Sequence, residues 1–282
     1  MLFHIRTRVL VAVALIILML GMSASFGISS QDERKSTSLE DEIPLLLTHS
    51  TITDIGFSAD SIYTNTTIAA GTYNGCAILE NQSMVCWGDN EYGQLGDGTT
   101  TGSAVPIYVN VAANETPVEV TVGQVTACAL MESGNIYCWG SGYYGKMGNG
   151  EPWNDDYVNT EMRQVLLPEG QGGQTVSISG GHICTILNNG DVYCWGRGNQ
   201  GQLGYGGTSN RNIPAKVNLP GQRSAIAIST GTFMTCAITN DGMGYCWGEN
   251  DEGQLGNGTT NSRRTTPVEV LFPSGYTPVS IS

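Results

Sequence analysis

The tripeptide Cys-Trp-Gly occurs four times in this chain, beginning at Cys86, Cys138, Cys194 and Cys246. By subtraction the copies lie 52, 56 and 52 residues apart. Each has a second cysteine ten positions earlier, at Cys76, Cys128, Cys184 and Cys236. Each is followed at one fixed offset by a glycine-bracketed tetrapeptide: Gly93-Gln94-Leu95-Gly96, Gly145-Lys146-Met147-Gly148, Gly201-Gln202-Leu203-Gly204 and Gly253-Gln254-Leu255-Gly256. A register held over four copies restricts the chain to stacked supersecondary units, and a period near 50 residues points to a propeller or a solenoid.

The second copy shows how a unit is built. Val118 to Val122 alternates and ends at Gly123, as a half-buried strand does. Cys128 to Met131 and Ile136 to Trp139 read as two further strands, with Glu132-Ser133-Gly134-Asn135 as the hairpin turn between them. Gly190 and Gly242 hold the place of Gly134 in units three and four, where a short bulged loop needs a positive φ. Unit one carries Gln82 there, which predicts a different turn. A proline-led segment closes three of the units (Pro106 to Val109, Pro214 to Val217, Pro267 to Val270) and reads as a fourth strand, with proline at its start on an exposed edge. Four antiparallel strands per unit make one propeller blade. The 38 glycines, about twice ordinary usage, fit so many tight turns.

Two cysteines ten apart that flank a short odd-numbered turn fall opposite each other on a hairpin, within disulfide reach. Four bridges inside the units follow: Cys76 with Cys86, Cys128 with Cys138, Cys184 with Cys194 and Cys236 with Cys246. Each would contribute about 2–3 kcal/mol through the unfolded state. The competing zinc reading lacks the close Cys-x-x-Cys spacing and has only three histidines in the chain to draw on.

This set of motifs, Trp-Gly followed by Gly-Gln-Leu-Gly at fixed offset from Ile68 to the C-terminus, resembles the regulator of chromosome condensation repeat family. The resemblance implies a β-propeller, usually of about seven blades, in which Trp87, Trp139, Trp195 and Trp247 pack between blades. It also implies a structural role for His182, since members often carry histidine just before that cysteine. The paired cysteines depart from the nuclear members and look like a secreted or microbial branch. Nuclear members activate a small GTPase and touch chromatin. For an acidic chain read as exported, neither a small GTPase nor nucleic acid is expected as a partner, and no residue here is matched to their exchange surface. Pro278 to Ser282 matches Thr175 to Ser179, the opening strand of unit three. The expectation is therefore all-β: four complete blades plus the first strand of a fifth, the N-terminal part of a longer ring.

His4, Arg6 and Arg8 precede an apolar run from Val9 to Leu20, and Ser23-Ala24-Ser25 follow it. That pattern reads as a secretory signal over residues 1–25, with a retained membrane anchor reaching Ile28 as the alternative. Residues 26–50 read as a linker and 51–282 as the propeller, with repeats near 68–117, 118–173, 174–223 and 224–276 and a partial one at 277–282. A formal net charge of −13 excludes a surface built to bind phosphate backbones.

No Ser-His-Asp set, phosphate loop or dinucleotide fingerprint is present. The loop acids Asp89, Glu91, Asp97, Glu249, Asp251 and Glu252 are of the type calcium uses, but units two and three lack them and solvated charge is the expected role. No cofactor is expected. Trp153 differs from the other tryptophans, because it lies in the extra residues of unit two, outside the repeat pattern. With Tyr157, and with Tyr143 and Tyr144 nearby, it forms the candidate partner-binding patch. The function expected is a non-catalytic extracellular scaffold for a protein or glycan. A lyase or glycosidase propeller and a structural cell-surface component are the alternatives.

Overall fold

In each unit the two cysteine-bearing segments become the middle strands of a four-stranded sheet and hold most of its buried residues. In the computed structural model, which describes residues 68–152, 157–260 and 262–282, unit one comprises β1 (Ile68–Ala70), β2 (Asn74–Ile78), β3 (Met84–Gly88) and β4 (Ser103–Tyr108). Unit two comprises β5 (Pro117–Val122), β6 (Thr126–Met131), β7 (Ile136–Ser141) and β8 (Val158–Gln164). Unit three comprises β9 (Gly173–Ile178), β10 (His182–Leu187), β11 (Val192–Gly196) and β12 (Arg211–Lys216). Unit four comprises β13 (Ala225–Thr230), β14 (Met234–Thr239), β15 (Gly244–Gly248) and β16 (Arg264–Glu269). Every sheet is an antiparallel meander in chain order, as a propeller blade is. The chain divides into two units at 62/63, and the first, which contains the signal and linker segments, lies outside the described residues.

The first strands β1, β5, β9 and β13 touch one another in sequence and form the inner edge. The fourth strands pair on one side only and carry exposed apolar residues such as Val105, Tyr108 and Ile213. Core residues gather between neighbouring sheets. One cluster joins units one and two around Leu95, Val120 and Trp139. A second joins units two and three around Met147, Val176 and Trp195. A third joins units three and four around Leu203, Ala237 and Trp247. The outer ends are sewn together by backbone bonds from the loop after each tetrapeptide to the next unit's fourth strand: Gly98 N–H to Thr160 O, Gly150 N–H to Asn212 O and Gly206 N–H to Thr265 O.

Opposing cysteines are directly paired in the ladder in all four units. Their Cα atoms stand 4.1 Å apart and all four disulfides are closed.

Three local expectations are corrected. The fourth strands do not begin at proline. β4 starts at Ser103, and Trp87 faces Ala104, Val105 and Pro106 across a bulge between Gly88↔Ser103 and Cys86↔Ile107. Pro214 and Pro267 occupy the same bulge in β12 and β16. A bulge residue on an edge strand needs no ladder N–H, so proline sits inside the strand without loss. Second, the turn of unit one is the same as the others. Gln82 takes φ +66, and its N–H bonds Leu79 O as the N–H of Gly134 bonds Met131 O. A left-handed glutamine is strained by about 1–2 kcal/mol. Gln82→Gly is therefore expected to raise stability by about 0.5–1 kcal/mol, after glycine's extra unfolded-state freedom is deducted. An upward shift of the urea midpoint checks this, and a downward shift would overturn it. Third, residues 277–282 carry no strand pairing. Thr277 and Pro278 lie near the positions a side chain would occupy at Gly242 and Gly244.

Candidate functional site

Antiparallel meanders send the loop between first and second strands and the loop after the third strand to the same end of every unit. At that end, loops of all four units meet on one cavity of about 590 Å³. Tyr92 comes from unit one, and Ser141, Tyr143, Tyr144 and Lys146 from unit two. Arg197 is supplied by unit three and Phe233 by unit four. No carboxylate lines it.

The two tyrosines stack at 3.9 Å between ring centroids, tilted by 45°. Tyr144 has φ +66, a left-handed backbone that a tyrosine rarely adopts and that clusters at functional sites. The Arg197 guanidinium carbon lies 5.0 Å from the Tyr144 ring centre and 4.9 Å from that of Phe233, so the cation is held between two aromatic faces. Its Nε donates to Asn199 Oδ1 at 2.9 Å.

Lys146 is only 2 % exposed, and no carboxylate forms an ion pair with its ammonium among the described residues. Burial alone pushes its pKa down to about 8. The other three units carry glutamine at this position, and there the side chain has a clear structural task. Gln94 accepts the Tyr92 N–H at 2.9 Å, and Gln202 and Gln254 accept from Gln200 and Glu252 in the same way. The amide of Gln94 in turn donates to Asp89 at 2.7 Å, and that of Gln254 reaches Glu249 at 3.5 Å. In unit three the acid's place is taken by Arg197, and the Gln202 amide nitrogen is buried without a partner.

The tetrapeptides and tryptophans form the joint between units. Trp139 Nε1 donates to Gln94 O at 2.9 Å, Trp195 to Lys146 O at 2.8 Å and Trp247 to Gln202 O at 2.9 Å. A side chain at Gly96, Gly148 or Gly204 would collide with the indole of the next unit, so glycine is required there. Trp87, with no described unit before it, is only half-buried.

His182 lies inside the interface of units three and four. Its Nε2 meets Thr235 Oγ1 at 2.7 Å, and Thr235 donates onward to Gln202 O at 2.9 Å. The ring therefore donates from Nε2 and is neutral, and burial drives its pKa down to about 3. Above about pH 6.5 folded and unfolded chains hold the same charge at this residue. As pH falls below 6.5 the unfolded chain takes up a proton that the folded chain refuses, so stability drains away down to about pH 3. Between pH 6.5 and 5 the native chain is therefore expected to lose urea midpoint relative to His182→Asn, which carries the residue unit one has at this position. Buried Glu119, whose pKa desolvation raises to about 7, adds the opposite trend to both proteins and cancels in the comparison. Equal slopes in the two proteins would overturn the assignment.

Of the loop acids, Asp97 accepts hydrogen bonds from Asn90 and Thr99, and Asn257 takes its place in unit four with the same partners. Of the candidate patch, Tyr143 and Tyr144 line the cavity. Tyr157 does not: it packs beside Gly142 and donates to Glu151. Trp153 lies outside the described residues. Lys146, Arg197 and Phe233 were not singled out from the sequence. The signal for the first was present, as the one break in the Gly-Gln-Leu-Gly register at its second position.

Comparison with known proteins gives a consistent picture. Two models described as the regulator of chromosome condensation (RCC1) repeat match, one over residues 85–130, 189–238 and 241–282 and the other over 66–94, 118–146, 174–202 and 225–254. The Ultraviolet-B receptor UVR8 of Arabidopsis thaliana is 33 % identical over 215 residues, covering 76 % of this chain and 48 % of the receptor. The E3 ubiquitin-protein ligase HERC2 of Homo sapiens is 31 % identical over 207 residues, 72 % of this chain and 4 % of the ligase. Among solved structures, Prp20p from Saccharomyces cerevisiae superposes with a TM-score of 0.64 at 18 % identity, over 74 % of this chain and 50 % of that one. Human WBSCR16 gives 0.64 at 19 %, over 72 % and 51 %. The chain thus spans about half the length of these relatives, and far less of the ligase.

Proposed function

Because this chain belongs to the regulator of chromosome condensation (RCC1) repeat family, we infer that it is a non-catalytic interaction scaffold, exported from the cytoplasm, that grips a protein partner with the loops at one end of its blades. The convergence of loops from four units on a single cavity carries this reading: a rigid end presenting two cations and four aromatic rings suits recognition. Catalysis would need convergent acids and bases, whereas His182 is committed inside an interface and no carboxylate lines the cavity. Export is supported by the N-terminal basic and apolar run and by four closed disulfides with no free cysteine among the described residues, since disulfides persist outside the reducing cytosol.

Two measurements test the reading. The full chain expressed behind its own N-terminus is expected outside the cell with no titratable thiol, and cytosolic retention with free thiols sinks the export claim. A photo-crosslinking residue replacing Tyr143 is expected to trap a protein partner, while one replacing Ser133, in the hairpin turn at the opposite end, traps none. Equal trapping at both ends would remove the assigned face.

A further inference from the structure

We propose that the cavity at Lys146 is a carboxylate-binding site that takes an Asp or Glu side chain from an acidic peptide segment of a protein partner. This rests on the scaffold reading and specifies what the scaffold recognises.

The repeat itself supplies the comparison. Three units use glutamine in the tetrapeptide, and its carbonyl fastens the N–H two residues earlier. Lysine has no acceptor and cannot make that bond. Unit two accordingly lacks the fastening and turns instead through a short 3-10 segment with left-handed Tyr144. Lys146 also brings a charge into a buried position with no anion to meet it among the described residues, an arrangement that is unfavourable until a partner arrives. A residue that gives up a turn bond and buries a cation with no carboxylate beside it among the described residues, where the same fold elsewhere uses glutamine, points to a task other than stability.

A second departure faces the same cavity. Where units one and four place Asp89 and Glu249 beside the glutamine amide, unit three has Arg197, and Gln202 Nε2 is left without a partner. Both departures replace a neutral or acidic residue by a cation, on adjoining units, around one space that no carboxylate lines. An entering carboxylate meets the compact charge of Lys146 and the edge of the planar Arg197 fork, whose faces lie against Tyr144 and Phe233 and whose Nε donates to Asn199. Tyr92, Tyr143, Tyr144 and Phe233 give apolar contact beyond what a bare anion needs, which favours a peptide whose flanking residues pack on them. The net charge of −13 does not oppose this, because distant charges are screened beyond about 8 Å at physiological salt and the local pair decides.

The test selects a random peptide library on the immobilised full chain, then measures the selected peptides, fluorescein-labelled, by anisotropy. Selected sequences are expected to share an Asp or Glu at one fixed position. Changing that acid to its amide, or Lys146→Gln in the protein, should each weaken binding by about 30-fold or more. The two changes together should cost little more than either alone. Lys146→Gln restores the repeat's own residue, so its thermal midpoint should hold or rise. Arg197→Gln serves as the second variant and should weaken binding in the same direction. Selected peptides that lack the acid, or that ignore both substitutions, overturn the site and leave the scaffold reading intact. A polyuronate oligosaccharide that binds through Lys146 while acidic peptides do not overturns the peptide assignment. If no peptide is selected and the polyuronate is also inert, the site and the scaffold reading fall together.

Discussion

Reduction of the four disulfides is expected to unfold the repeat region outright. Each bridge closes a loop of ten residues, and the chain-entropy estimate for such a loop is about 2.7 kcal/mol. Four independent loops then amount to roughly 11 kcal/mol, comparable with the whole stability of an ordinary domain. The sulfurs of Cys76, Cys86, Cys128, Cys138, Cys184 and Cys194 belong to residues with no exposed surface, so a reductant added to the folded chain reaches them only through opening. The experiment therefore reduces the chain in urea, blocks and counts the thiols, and removes the urea. The expected product carries eight blocked thiols and lacks the near-ultraviolet signal of packed tryptophan. Recovery of that signal in the fully blocked chain would mean that inter-unit packing alone holds the blades.

Trp195→Ala is expected to cost about 3–5 kcal/mol, the range for deleting a large buried aromatic side chain. Trp195 has no exposed surface and sits in the cluster joining units two and three. Its loss also strands the Lys146 carbonyl that its indole N–H satisfies. Trp195→Phe keeps most of the volume and removes the donor, and should cost about 1 kcal/mol. Trp87→Ala provides the internal control, since that indole is half-buried, and its cost should fall well below that of Trp195→Ala. Urea unfolding of the three variants decides the matter. Equal losses at Trp87 and Trp195 would refute the view that the indole's energy comes from the neighbouring unit. Because units in such a stack contact only their neighbours, hydrogen exchange in Trp195→Ala should quicken first along β7 and β10, on either side of the broken joint.

The blades were legible because the repeat repeats. A cysteine separation of ten fixes which residues face each other, and Cys76 does pair with Cys86 and Cys184 with Cys194. The inter-unit tryptophans followed from the family resemblance and the shared offset to Gly-Gln-Leu-Gly. Fourth-strand boundaries were not legible, since alternation cannot register a bulge that sets three residues against one, and the proline inside it looks like a strand start. The turn at Gln82 was misjudged for a related reason: residue type is a bias, and the disulfide-held hairpin overrides it. The cavity lay deeper still. Arg197 meets Tyr144 and Phe233 only because three units bring them to one end, a proximity that no local pattern encodes.

The joint between units also separates two kinds of change. The carbonyls of Gln94, Lys146 and Gln202 are all held by the next unit's indole, whatever side chain their residue carries. Two positions earlier the chain reads Tyr92, Tyr144, Gln200 and Glu252, four residues of three chemical kinds at one structural address. Packing is therefore secured through main-chain atoms, and the neighbouring side chains are left free to vary. A new specificity can be written at the open end one unit at a time without the stack having to be solved again. The same scaffold becomes a set of interchangeable words on a fixed spine.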